Sequence, residues 1–367
     1  MGSHVERLLL NIKRHTNQSV YDALMNECGT LGEEPPSVEL ERYRISVFEK
    51  MQLLCSNDET SKILHADSFY TLGELRKVYG FNDFLSKYSD NTEIRGFSGN
   101  ENRLSFILGG ELFVKIYPNK GSSYFLDGTH DKEVGVYEYI QKNNIPIHVP
   151  QMICNGANDG YPYIALEYIR GRTMRQPRQK GNNAEEKQII SSAAGELMNV
   201  LHSIRKNDEL HGVVERNHLK DIQSFSQRLG EVDNNAELMN RAFEKISEFL
   251  LKHDEEKVLV QGDAHINNFL IDVCGQVYLY DFETAFWGDP NYDIAGLTKK
   301  GHIKFDDFVD SGGYKHPINR EAVKAYQMMY CVTVMAYYCP HYKQRYGFAC
   351  NDAYLPYKNR LVECLRQ

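Results

Sequence analysis

The chain has 367 residues, enough for two domains or one large two-lobed protein, and its 42% apolar and 25% charged residues suit a folded globular protein rather than a disordered one. A net charge of −8 and a pI of about 5.9 argue against a general nucleic-acid binder, which carries a basic face. The eight cysteines are scattered, with no C-x-x-C pair and no Cys/His cluster, so they read as reduced thiols of a cytoplasmic chain rather than a zinc site or a disulfide framework. The run Leu8-Leu9-Leu10 is too short to span a membrane, and no membrane partner is expected.

In chain order, Leu40, Tyr43, Val47, Met51 and Leu54 recur at helical spacing after the break at Glu33-Glu-Pro-Pro36. A second helix is predicted from Leu72 to about Leu85, which makes residues 1–92 a helical extension. The pattern changes near Ile94. Arg103–Leu108 and Glu111–Tyr117 are β-rich runs joined by Gly109-Gly110, a strong hairpin signal. A helix is expected from about Lys132 to Gln141, and Tyr163–Ile169 reads as a buried strand. Residues 93–168 thus form a small β-rich lobe, and 169–367 a larger, mostly helical one. Ile190, Ala194, Leu197, Leu201 and Ile204 mark one of its helices, and 237–251 another.

The most informative stretch is Gln261-Gly-Asp263-Ala-His265-Ile-Asn-Asn268, between apolar Val258–Val260 and Phe269–Ile271. A turn at Val273–Gln276 brings back Val277–Tyr280, and Asp281 emerges at the end of that strand. Phosphoryl transfer needs phosphates held, charge neutralised and the acceptor oxygen aligned. Asn268 and Asp281 have the oxygen ligands that Mg2+ prefers, and Asp263 can accept the hydrogen bond of an acceptor hydroxyl. Any one of these alone reads as a turn or cap residue; their spacing around a hairpin favours the chemical role.

Lys115 sits mid-strand on the face of Phe113 and Tyr117, where an ammonium needs an anion or an escape to solvent. Glu133 lies on the apolar face of its helix with Val136, Tyr137 and Ile140. A Lys115–Glu133 ion pair, with Lys115 aimed at nucleotide phosphates, resolves both anomalies. Gly96-Phe-Ser98-Gly99-Asn100 reads as a loop whose backbone could cover phosphates, a weak signal that an ordinary turn shares. The connector Leu166-Glu167-Tyr-Ile169 is expected to offer backbone groups to a purine edge, with Leu166 at the back of that pocket.

These residues resemble the aminoglycoside phosphotransferase and choline kinase group. Gly262–Asn268 is similar to its catalytic loop, Asp281-Phe-Glu283 to its metal-binding segment, and Gly288-Asp289-Pro-Asn-Tyr-Asp293-Ile-Ala to the segment after it. The likeness covers about residues 94 to 340. It implies an α+β, bilobal protein-kinase-like fold with an added helical N-terminal segment. It also implies a catalytic Asp263, metal ligands Asn268 and Asp281, and phosphate-binding Lys115 with its partner Glu133. ATP or GTP would be the donor and Mg2+ the metal. Gln261 stands where His is common, a departure expected to be tolerated because its role does not need a titrating ring. His265 and Asp293 are expected to support the loop. Only eleven residues separate Asp281 from Asp293, and no A-P-E follows. A peptide substrate has no platform there, so the expected acceptor is a small-molecule hydroxyl, with an aminoglycoside-like or other antibiotic favoured over a metabolite such as choline, methylthioribose or homoserine. Glu283, Asp306, Asp307 and Asp310 are acidic candidates for meeting an amino-bearing acceptor, or form a solvated face. An idle nucleotide-binding regulator is the competing class, and the intact set of five site residues argues against it.

Overall fold

The computed structural model describes residues 71–79, 85–100, 103–117, 128–158, 161–174, 184–232, 236–253, 257–299, 303–337 and 351–366. The helix expected around Leu40–Leu54 lies outside them. The chain divides into two compact units, one reaching to His130 and including Gln151–Tyr168, the other formed by Asp131–Pro150 and Ile169 onward.

The first unit holds helix α1 (Leu72–Tyr79) and an antiparallel five-stranded sheet. Its strands are β1 (Ile94–Asn100), β2 (Arg103–Leu108), β3 (Leu112–Ile116), β4 (Met152–Asn158) and β5 (Tyr161–Glu167), in the order β1-β2-β3-β5-β4. The Gly109-Gly110 joint makes the β2–β3 hairpin, with φ of 60° and 70°; two consecutive left-handed residues match the twist of the flanking strands. Leu112, Val114 and Ile116 alternate onto one face, where they bury against Phe106, Leu108, Ala165, Leu72 and Leu75. Each such side chain contributes about 2 kcal/mol of apolar burial. Lys115 falls on the opposite face, opposite Ser105 and Ile164 in register, and is fully buried.

One expectation changes here. Gly96–Asn100 is not a loop: it is the second half of β1, because its backbone pairs with β2, with a register shift between Arg95 and Ser98 that absorbs the irregular Gly96-Phe97 step. Strand β4 has no clear sequence signature: Asn155, Gly156 and Asn158 are poor strand formers, and pairing to β5 decides the conformation instead.

The second unit begins with α2 (Thr129–Lys142), whose first two residues fall in the other unit. It continues through β6 (Gly171–Thr173), α3 (Ala184–Leu201), α4 (His218–Val232) and α5 (Ala236–Lys252). Then come β7 (Val258–Val260), a 3-10 turn (Ile266–Asn268), β8 (Phe269–Asp272), β9 (Val277–Leu279) and β10 (Phe286–Gly288). Helices α6 (Asn291–Thr298), α7 (Phe305–Asp310), α8 (Arg320–Tyr337) and α9 (Asn351–Arg366) complete it. Strands β6-β8-β9 form one small sheet, and β7 pairs with β10 in another. Helix α8 packs on α4, α5, α6 and α9. No helix among the described residues is long and apolar enough to cross a membrane.

The α4–α8 layer contains an aromatic stack around His218. Its ring lies over Tyr292 at 5.2 Å and 12°, with Phe286 and Tyr326 edge-on. Burial, helped by the charges of Arg216 and Lys257, lowers the His218 pKa to about 3. The unfolded chain takes up that proton near pH 6.5 and the folded chain does not, so stability is lost as pH falls from 6.5 towards 3. His218→Phe keeps the stack without the titration. Urea unfolding is expected to show the wild type losing about 2–3 kcal/mol more than this variant between pH 6.5 and pH 4.

Candidate active site

The pairing of Phe286 with Val260 brings residues 281–285 alongside the 261–263 loop. The approach is close. Gly262 has φ of 87°, and a Cβ there would run into the carbonyl oxygen of Thr284, so no other residue fits. The Thr284 hydroxyl donates to the Gln261 carbonyl at 3.1 Å.

One carboxylate holds this loop from beneath. Asp293, in the first turn of α6 and fully buried, accepts the backbone N–H of Gln261 on Oδ2 (2.8 Å) and that of Gly262 on Oδ1 (3.0 Å). His202, also fully buried, donates from Nε2 to Asp293 Oδ2 at 3.1 Å, and its Nδ1 is hydrogen-bonded to the Tyr314 hydroxyl at 2.8 Å. A buried carboxylate needs such donors, since each hydrogen bond offsets part of its lost hydration.

The Gln261 carboxamide links the two halves of the site. Its Nε2 donates to the Asp281 carbonyl (2.6 Å), and its Oε1 accepts from the Asp263 backbone N–H (2.8 Å). An amide does both at once and does not titrate. Asp281 itself has φ of 70°, a left-handed conformation that is uncommon for a non-glycine residue and that the surrounding bonds enforce.

Asp263 is half-exposed. His265 Nε2 lies 3.2 Å from Asp263 Oδ2, and Lys299 Nζ lies 3.7 Å from Oδ1. The His265 ring also caps the 3-10 turn, its Nδ1 accepting from Asn267 N at 3.2 Å. Asn268, buried, donates from Nδ2 to the Asp263 carbonyl at 3.0 Å, and its own carbonyl accepts from Tyr280 N–H. Asp263, Asn268 and Asp281 therefore belong to one hydrogen-bonded frame.

Glu133 on α2 is fully buried, and its Oε1 accepts from the Phe282 N–H at 3.3 Å. Glu133, Asp281 and Glu283 each place a carboxylate oxygen within 4.8 Å of the others. Three carboxylates so close repel one another, and a hard cation with oxygen ligands is the natural neutraliser, so the donor set fits Mg2+. Glu283, expected at the acceptor surface, has a carboxylate oxygen in this group.

The remaining predicted residues are placed as follows. Ser98 and Gly99 lie in β1; Leu166 is buried at the end of β5, and the exposed Glu167 carboxylate faces the Gln151 N–H at 3.5 Å. Ile169 is buried in the second unit. Asp306 and Asp307 are exposed on α7, with Asp306 3.3 Å from Arg320, which suits a solvated acidic face. The sequence reading missed His202, Tyr314, Tyr330 and Lys299. All four come from distant helices or loops; His202 and Tyr330 interrupt apolar runs, whereas Tyr314 and Lys299 sit among polar and glycine residues that carry no such signal.

A β-sheet unit, a helical unit and an Asp-x4-Asn loop hydrogen-bonded beside a strand-end carboxylate are the parts of a protein-kinase-like fold. Comparison with solved structures supports the fold. APH(2")-IIia bound to GDP and kanamycin superposes with a TM-score of 0.59 at 16% identity, covering 79% of this chain and 98% of that one. A choline/ethanolamine kinase family protein from Mesorhizobium loti gives 0.59 at 17% identity, covering 80% and 94%. The choline kinase LicA from Streptococcus pneumoniae gives 0.56 at 15%, covering 80% and 97%. The model of the phosphotransferase enzyme family matches residues 93–326, and the chain belongs to that family.

The Asp293 frame yields a test. Asp293→Asn leaves one of two buried N–H groups facing an amide N–H. Unfolding in urea is expected to show a loss of about 3 kcal/mol, and the loss is expected to be much smaller in Asp306→Asn on the exposed face.

Proposed function

We propose that this chain transfers the γ-phosphoryl group of ATP or GTP to a hydroxyl of a small molecule. The observation that carries the proposal is the frame in which Asp293 and Gln261 fix Asp263 beside Asn268 and Asp281. In the proposed reaction the acceptor O–H donates to the Asp263 carboxylate, which aligns the oxygen with the γ-phosphorus. The acceptor oxygen forms the new P–O bond as the bridging P–O bond breaks. The nucleoside diphosphate leaves with that electron pair, and the acceptor proton passes to Asp263. Asn268 and Asp281, with Glu283 beside Asp281, would hold Mg2+, which when bound neutralises phosphate charge. Lys115 is proposed for the phosphates, with Glu133 as its counterion. The backbone of Ser98 and Gly99 and the segment Leu166, Glu167 and Ile169 are proposed for the rest of the nucleotide.

In this reading residues 93–168 bind nucleotide, 169–367 carry out transfer, and 1–92 are an added N-terminal segment. The short Asp281–Asp293 segment supports a small acceptor over a peptide. An aminoglycoside-like or other antibiotic is the acceptor class we favour, in keeping with the kanamycin complex among the structural neighbours. Metabolite hydroxyls such as that of choline are the second class, in keeping with the choline kinase neighbours. A cytoplasmic location is proposed, in keeping with the scattered cysteines; among the described residues Cys154, Cys274, Cys331 and Cys364 form no disulfide, and burial raises the Cys331 pKa to about 12.

Asp263→Asn separates binding from chemistry. Transfer to a panel of aminoglycosides and small alcohols, measured as nucleoside diphosphate release with Mg2+, is expected to fall by about 10³-fold. Nucleotide affinity by calorimetry is expected to stay within about threefold. Undiminished turnover in this variant removes Asp263 from the reaction.

A further inference from the structure

Lys299 is a lysine with a 5%-exposed side chain that the proposed mechanism does not use. It follows directly after α6, and its place there has a specific cause. Gly296 sits where a Cβ would lie 2.7 Å from the Ala264 carbonyl and 2.9 Å from the Tyr330 hydroxyl, so α6 approaches the 261–268 loop only because that side chain is absent. Three residues on, the same helical face points Lys299 at Asp263. Its ammonium lies 3.7 Å from Asp263 Oδ1 and 3.6 Å from the centroid of the Tyr330 ring. The Tyr330 hydroxyl donates to the Gly262 carbonyl at 3.3 Å, so the ring that carries the ammonium is itself fastened to the loop.

We infer that Lys299 is a positioning residue that acts through Asp263, an assignment that rests on the proposed phosphotransfer. The Asp263 carboxylate meets two partners on different oxygens, His265 on Oδ2 and Lys299 on Oδ1. Two contacts fix the carboxylate plane, where one would leave it free to rotate. The ammonium also sets a positive charge beside the carboxylate that receives the acceptor's hydrogen bond. A low-dielectric wall of Tyr330 strengthens that interaction and gives the ammonium a cation–π contact. Because Lys299 holds the aligning group and not the nucleotide, its loss is felt in turnover and not in nucleotide binding.

The test compares K299M, K299Q and K299R with the wild type, using Mg-ATP and Mg-GTP with water, kanamycin and choline as acceptors. The expected result is a fall in kcat of about 10²-fold in K299M and K299Q, with the nucleotide KM within about twofold and at least about tenfold recovered in K299R. Wild-type kcat in K299M or K299Q overturns the assignment, as does a nucleotide KM that rises in step with the loss. If K299M and K299Q do not fold while K299R does, the lysine is structural and the assignment falls. If the wild type turns over neither nucleotide with any of the three acceptors, it is the phosphotransfer reading that fails. Thermal melting of D263N, K299M and the double variant then decides the pairing alone: non-additive shifts support it, and additive shifts overturn it.

Discussion

The site depends on one buried carboxylate. Asp293 takes the N–H groups of Gln261 and Gly262 on its two oxygens and leans on His202, which is tied to Tyr314. Backbone N–H groups in a turn have no ladder partner of their own, and burying them unpaired is costly. Asp293 meets that need, and in doing so sets the position of the next residue, Asp263. The geometry of the 261–263 loop is therefore decided by a side chain thirty residues beyond Asp263 that is wholly shielded from solvent.

Close backbone approach is the second constraint. Gly262 against Thr284 and Gly296 against Ala264 let two segments touch the loop at distances no side chain permits. Gln261 exploits the first approach by bonding to Asp281 and Asp263 together. The carboxylates of Asp281, Glu283 and Glu133 then crowd at one point, with the Asp281 backbone in a conformation the neighbours impose. Close placement of this kind suits phosphoryl transfer, where positioning and charge supply most of the catalysis.

Much of this was legible from local pattern. Gly109-Gly110 between two alternating runs has one good conformational solution, and a hairpin formed. Asn268, five residues after Asp263, lies within reach of the Asp263 carbonyl because the intervening turn is short. Gln261 makes its two bonds through an amide, which needs no titrating ring. The limits were equally physical. Gly96–Asn100 looked like a loop because glycine and serine carry no strand preference, and β2 recruited it. That Glu133 stands beside Asp281 and Glu283 was not readable, because proximity between remote segments is not a property of spacing.

What the sequence determined by itself was the chemistry available: oxygen ligands at short separations, a lysine in an apolar strand, a glutamate on an apolar helix face. These follow from periodicity and turn length, which act over a few residues. What only the tertiary structure decided was which polar groups serve each other. His202, Asp293 and Tyr314 span more than a hundred residues, and Lys299 reaches Asp263 from a helix end. Such pairings are made by helix packing that brings remote segments into a dry interior, where an ionic or polar group must find a partner whatever its distance along the chain.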